Sequence, residues 1–153
     1  KYLGEVEREL GRPAAALEYH RRALEIERRA FGKDEHIAIA ATRYQLALDE
    51  LAMDDAAAWA SAATEIASAI AIVRKLDPEA PRLDEFLLAA ARIAHLQGDD
   101  EAARRDLAEA VARFRAHDGP THPRTAAAER ELAAFDRTDR NFQKLQRLGP
   151  SPD

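Results

Sequence analysis

Two interleaved series of helix-breaking residues cut this chain at a nearly fixed interval. The first is Leu10-Gly11-Arg12, Met53-Asp54-Asp55 and Gln97-Gly98-Asp99, spaced 43 and 44 residues apart. The second is Phe31-Gly32-Lys33-Asp34-Glu35-His36, Leu76-Asp77-Pro78-Glu79-Ala80-Pro81 and Asp118-Gly119-Pro120-Thr121-His122-Pro123. Each member of the second falls between breaks of the first. A fixed period of this length marks a repeat architecture, in which one unit cannot bury its apolar face alone and stacks on its neighbour.

Between breaks the apolar residues recur at helical spacing. In 13–31, Ala16, Ala23 and Ala30 repeat every seven residues, with Leu17, Leu24 and Phe31 beside them. Ile66, Ala69, Ile70, Val73 and Leu76 form the matching stripe in the second period, and Ala103, Leu107, Ala110, Val111 and Phe114 in the third. One such stripe on a 3.6-residue period is the buried side of an amphipathic helix. Composition agrees: the chain has 35 alanines, no cysteine, and only 6 Gly and 7 Pro, clustered at the breaks. Alanine is the best helix former and lets helices approach closely.

The spacing predicts seven helices, near 2–10, 13–31, 36–53, 55–76, 82–97, 100–117 and 123–137, and leaves room for a short eighth near 140–148. Short joints make successive helices antiparallel. The expected fold is all-α: helix hairpins stacked into a right-handed α-solenoid of about three and a half repeats. The units run 1–32, 36–77, 82–118 and a partial 122–137, followed by a capping segment and tail at 138–153.

Several function classes are disfavoured. The net charge of −5 and the interleaving of Glu5, Glu7, Arg8 and Glu9, or of Arg28 and Arg29 with acids, read as solvated helix faces, so no nucleic-acid partner is expected. Segment 56–73 is nearly uncharged but consists mostly of Ala and Ser. It reads as a buried helix of a globular fold, and no membrane partner is expected. With no Cys, disulfides and thiolate chemistry are excluded. The pairs Asp54-Asp55 and Asp99-Asp100 sit just before second helices, where Asp caps the first turn. His36 and His122 open first helices at equivalent positions, which points to a structural part. His117 and His122 lack metal-ligand spacing, and His20 reads as a packed side chain. Nothing groups a nucleophile with a base. No catalytic residue, metal or cofactor is expected, and the chain reads as a non-enzyme.

In the first period, Leu3-Gly4, Gly11, Ala16-Leu17, Tyr19 and Ala23-Leu24 resemble the tetratricopeptide repeat. Gly98, Ala103, Leu107 and Ala110-Val111 repeat the pattern less fully. The long period, with the loops at 32–36 and 119–125, resembles the 42-residue variety of kinesin light chains, common also in bacterial signalling proteins. The chain departs at Glu7, Glu50 and Ala94, where the family carries an aromatic, and at Asp54, where it carries a turn glycine. Either Trp59 or Ala62 fills the small-residue slot of the middle period.

The resemblance implies a protein-interaction scaffold whose groove is lined by first helices. The positions carried over are Tyr2, Glu5 and Glu9; Ala41, Tyr44, Gln45 and Leu48; Glu85, Leu88, Ala89, Arg92 and His95; and Ala127, Arg130, Glu131 and Ala134. The partner contacts expected among them are Tyr44, Gln45, Leu48, Glu85, Leu88, Arg92, His95 and Arg130. The rival reading places Tyr44, Leu48 and Leu88 in the core. The family's carboxylate clamp of Lys, Asn and Arg is missing, since Ala41, Tyr44, Leu48 and Leu88 stand there. An apolar centre with Arg92 and Arg130 suits an amphipathic or acidic protein segment. The alternative expectation is the non-catalytic C-terminal array of a larger bacterial signalling enzyme, such as a serine/threonine kinase. A cytoplasmic location is expected. Lys1 in place of Met suggests a piece of a longer protein. Leu3, Val6 and Leu10 are then expected to be partly exposed and to favour self-association through the uncovered N-terminal helix. Phe142, Leu145 and Leu148 are expected to cover the other end.

Overall fold

The computed structural model describes residues 2–148, with side chains for residues 2–137. Seven helices follow one another: α1 (Tyr2–Glu9), α2 (Pro13–Phe31), α3 (Ile37–Leu51), α4 (Ala56–Leu76), α5 (Arg82–Leu96), α6 (Asp100–His117) and α7 (Pro123–Leu148). No strand occurs among the described residues. Every helix packs on its successor, and α3 also touches α5. Three hairpins, α1/α2, α3/α4 and α5/α6, therefore stack into an all-α helical repeat solenoid, with α7 opening a fourth. The six predicted breaks all fall where helices end. α7 is the exception to the sequence reading: one helix runs through 138–148, where no Gly or Pro interrupts it. Phe142, Leu145 and Leu148 lie outside the residues whose side chains are described.

Local chemistry explains the joints. Gly98 (φ 80) follows α5; its N–H reaches the His95 carbonyl at 2.9 Å, and the Asp99 N–H reaches the Ala94 carbonyl at 2.9 Å. This pair of bonds satisfies carbonyls that the helix end leaves open, and it needs the left-handed backbone that glycine adopts freely. Gly11 and Arg12 repeat it on the Arg8 and Glu7 carbonyls. The middle joint lacks the glycine, and there the Trp59 indole N–H donates to the Met53 carbonyl at 2.9 Å. Asp55 accepts from the Ala57 and Ala58 N–H groups, and Asp99 from that of Ala102, so both act as caps. His36 Nδ1 accepts from the Ala38 N–H at 3.0 Å and His122 Nδ1 from the Arg124 N–H at 3.2 Å. The shared position of these two histidines is thus a helix cap.

Small residues set the crossings. Ala16, Ala62 and Ala103 are fully buried on α2, α4 and α6. Ala62, not the half-buried Trp59, fills the slot in the middle period. Gly4 packs so tightly on α2 that a Cβ there would lie 2.5–2.9 Å from the His20 ring. The stripes hold over most of their length and peel away at their ends. Phe31 and Leu76 are exposed, with Phe31 stacked on His36 at 3.6 Å. α4 corrects a second expectation. Ala62, Ile66, Ala69, Ile72 and Val73 are buried, but Ala56, Ala57, Ala60, Ala67 and Ala71 face solvent, so only one side of this apolar helix is covered. By length and composition it is the one described helix apolar enough to cross a membrane.

The core also holds charge. Asp49 on α3 has no exposed side-chain surface; the Arg8 guanidinium on α1 donates to it at 2.6 Å and His20 Nδ1 on α2 at 2.5 Å. Asp84 on α5 is held in the same way by Arg113 at 2.6 Å and His117 at 2.7 Å, both on α6. Arg8 is therefore part of a buried ion cluster and not of a solvated face. Glu50, also buried, accepts from the Ser61 hydroxyl at 2.7 Å. Burial raises its pKa above the ordinary 4.5; nearby Glu65 and Asp49 add to the rise, while Ser61 and Arg21 oppose it.

Two measurements follow. Gly4→Ala forces a methyl against the His20 ring, which its bond to Asp49 holds in place, and overpacking of this kind costs about 1–3 kcal/mol. Urea titration of this variant should show that loss, and His20→Ala introduced with it should remove most of the additional penalty. For Glu50, the folded state holds the proton more tightly than the unfolded state. Its favourable contribution is complete below the unfolded pKa and is lost as pH climbs through the raised folded value. Glu50→Gln should then match or exceed the parent's stability at neutral pH and flatten its decline between mildly acidic and neutral pH. A variant that is markedly less stable at pH 7 would show that the charge itself is needed.

Candidate interaction groove

The first helices α3, α5 and α7 form one wall of the stack. A depression of 260 Å³ opens between them, lined by Tyr44 and Leu48 of α3, Glu85, Leu88, Ala89 and Arg92 of α5, Phe114 of α6, and Arg124, Ala127 and Ala128 of α7. The same repeat position recurs on successive helices, which brings Tyr44, Leu48, Leu88 and Arg92 together although 48 residues of chain separate the first from the last. A larger cleft of 530 Å³ lies on the other side, between α4 and α6 over an α5 floor, and is lined mostly by Ala and Ile.

Tyr44, Leu48 and Leu88 are half-buried: they pack against the core and also line the depression. Tyr44 stacks on Phe86 with ring centroids 4.5 Å apart. Burial raises its pKa above 10.0, and the neighbouring Glu85 carboxylate adds to the rise, while Arg8 and Arg92 oppose it.

Two ion pairs cross from α5 to α7 at the rim. Arg92 meets Glu131 through two bonds of 3.0 Å, and Arg124 meets Glu85 at 2.5 Å. The bonds Arg92 donates to Glu131 raise its pKa, with burial opposing. The partner residues stand 39 positions apart in both pairs, with the charges reversed. Arg92 is therefore already neutralised, and the attraction for an acidic segment expected from it is largely cancelled.

Five of the eight expected contact residues line the depression: Tyr44, Leu48, Glu85, Leu88 and Arg92. Gln45 does not; its side-chain oxygen accepts from Arg8 at 2.7 Å. His95 bonds Asp100 at 2.8 Å and meets the Phe135 ring edge-on at 4.7 Å, beyond the depression along α5. Arg130 is exposed outside it and makes no ion pair with a described residue. Phe114, Arg124 and Ala128 went unread as lining residues. Phe114 looked like core alone, because its helix is a second helix. Arg124 had a signal: its offset from Glu85 equals that of Glu131 from Arg92. Among the described residues no group of three or more His, Cys, Asp or Glu is placed to hold a metal.

The Tyr44 environment has a measurable consequence. A tyrosine whose pKa is raised in the folded state contributes stability that is complete below the unfolded pKa, about 10, and is lost as pH rises through the folded value. Absorbance titration of the folded chain should show one tyrosine ionising later than in denaturant, and Tyr44→Phe should remove that late phase. If the phase persists in Tyr44→Phe, the assignment is wrong.

Among known proteins, residues 2–38 match the family model described as the tetratricopeptide repeat. No curated protein matches the chain. The match covers the α1/α2 hairpin, and the Gly4/Ala16 crossing it contains has counterparts at Ala62 and Ala103 in the later hairpins. Residues 2–38 thus carry a tetratricopeptide repeat, and the hairpins stacked on it repeat its helix-pair architecture.

Proposed function

We propose that this chain is a protein-interaction scaffold that holds a segment of a partner protein along the first-helix wall, over Tyr44, Leu48, Leu88 and Arg92. The tetratricopeptide repeat supports the scaffold reading in general. The observation behind the specific site is the 260 Å³ depression, whose apolar floor is framed by the two rim ion pairs. Tyr and Arg are the residue types most enriched where binding energy concentrates. Half-buried Leu48 and Leu88 add apolar area that a partner side chain would remove from water. Because Glu85–Arg124 and Arg92–Glu131 balance each other, the fitting segment is amphipathic, with an apolar anchor and both signs of charge, rather than uniformly acidic. The chain acts by binding and carries no chemistry of its own.

The test compares affinity and stability in the same variants. Partners captured from native lysate are identified, and one is titrated against the parent chain, Tyr44→Ala and Arg92→Ala. Both substitutions should weaken binding by about 1 kcal/mol or more. In thermal melts Arg92→Ala should move little, whereas Tyr44→Ala also loses its Phe86 stack and should cost about 1–3 kcal/mol of stability. Unchanged affinity in both variants would remove the groove assignment.

A further inference from the structure

The α1/α2 hairpin leaves one side uncovered. The two flanks of α2 differ. Arg21 and Arg28 lie on one flank and reach Glu50 and Asp34, at the start of the rest of the stack. Tyr19 and Ile26 lie on the opposite flank, turned away from α3 and α4, and are 38% and 65% exposed. Beside them on α1, Leu3, Val6 and Leu10 are 63%, 48% and 59% exposed. Most of the exposed large apolar side chains among the described residues are thus on this one hairpin. A contiguous apolar patch on a folded chain marks an interaction surface.

The exposed side of α2 also states what fits it. Glu18, Tyr19, Arg22, Glu25, Ile26 and Arg29 fall in order within about a third of the helix circumference. All six are exposed. Read against the same list reversed, Glu18 meets Arg29, Tyr19 meets Ile26, and Arg22 meets Glu25. The stripe is self-complementary in the antiparallel sense, the condition a two-fold contact between identical surfaces must satisfy. Glu18 and Arg22 make no ion pair with a described residue, and Glu25 and Arg29 are joined only to each other, at the surface.

We propose that this face binds a second copy of the chain, with α2 antiparallel to α2 across a two-fold axis. Tyr19 packs on Ile26 of the other copy, and Glu18–Arg29 and Arg22–Glu25 pairs form twice across the seam. The proposal does not rest on the groove, which lies on a different wall, so either can fail alone.

Sedimentation equilibrium of the 153-residue chain should show a dimer at micromolar concentration. Ile26→Asp should abolish it, with the helical circular dichroism and the melt unchanged. Arg22→Glu and Glu25→Arg should each weaken self-association at least ten-fold, since each sets like charges against one another twice. Mixed in equal amounts, these two variants should recover a dimer containing one of each, because every cross-seam pair is then opposite in sign. A wild-type chain that stays monomeric overturns the proposal, whatever other helix or protein covers the face. A dimer indifferent to both charge reversals also overturns it.

Discussion

Helices in this chain meet through alanine and glycine, and the rest of the structure depends on that close approach. Ala16, Ala40, Ala47, Ala62, Ala69, Ala91, Ala103 and Ala110 are all fully buried. A side chain of one carbon contributes little apolar area, so each crossing is individually weak. Its value is geometric. Short distances between backbones let many atoms touch and leave little room for larger side chains to vary their packing. Gly4 is the extreme case, where even one carbon would meet the His20 ring.

An alanine-rich core has a second consequence. Interior surface that other folds cover with Leu or Phe is here shared with charged groups, which must be compensated in place. Asp49 and Asp84 each take one Arg and one His from neighbouring helices, so each buried carboxylate is answered by two donors. Replacing such an arrangement wholesale with apolar groups can be neutral, whereas removing one member leaves an uncompensated buried charge. Each cluster is complete only when the helices that supply it are in register. The first ties α1 and α2 to α3, and the second ties α5 to α6.

Much of the fold was legible because its signals are local. Gly11, Gly32 and Gly98, the Asp55 and Asp99 caps, and the recurring alanines each act within a few residues, and reading them in phase gave the six joints. What escaped was non-local. Arg8 looked like one more charge on a solvated face, because its partner Asp49 is 41 residues away. His117 was weighed only as half of a metal pair with His122, because its partner Asp84 lies 33 residues back. The exposed half of α4 escaped because composition records how apolar a helix is, not whether a neighbour covers it. In the candidate groove, repeat phase placed Tyr44, Leu48, Leu88 and Arg92 on one wall. Phase alone could not show that Gln45 turns to Arg8 or that Arg130 stands outside.

The groove's charges show what repetition adds to a site. Glu85 and Arg92 are seven residues apart on α5, and Arg124 and Glu131 are seven apart on α7. Opposite signs therefore face each other at both levels when the two helices run side by side. The four charges form an alternating square around an apolar floor. Within such a square the fields largely cancel, although Arg124 also bonds Asp118 at 3.0 Å, which adds one acidic charge beside it. At contact range the same square is selective. A segment carrying a single sign gains at two corners and is repelled at two, while an amphipathic segment with both signs exchanges partners at every corner. In the groove proposed above, apolar anchoring would then supply most of the binding energy and the charges would fix direction and register, which a stack of near-identical hairpins would otherwise leave open.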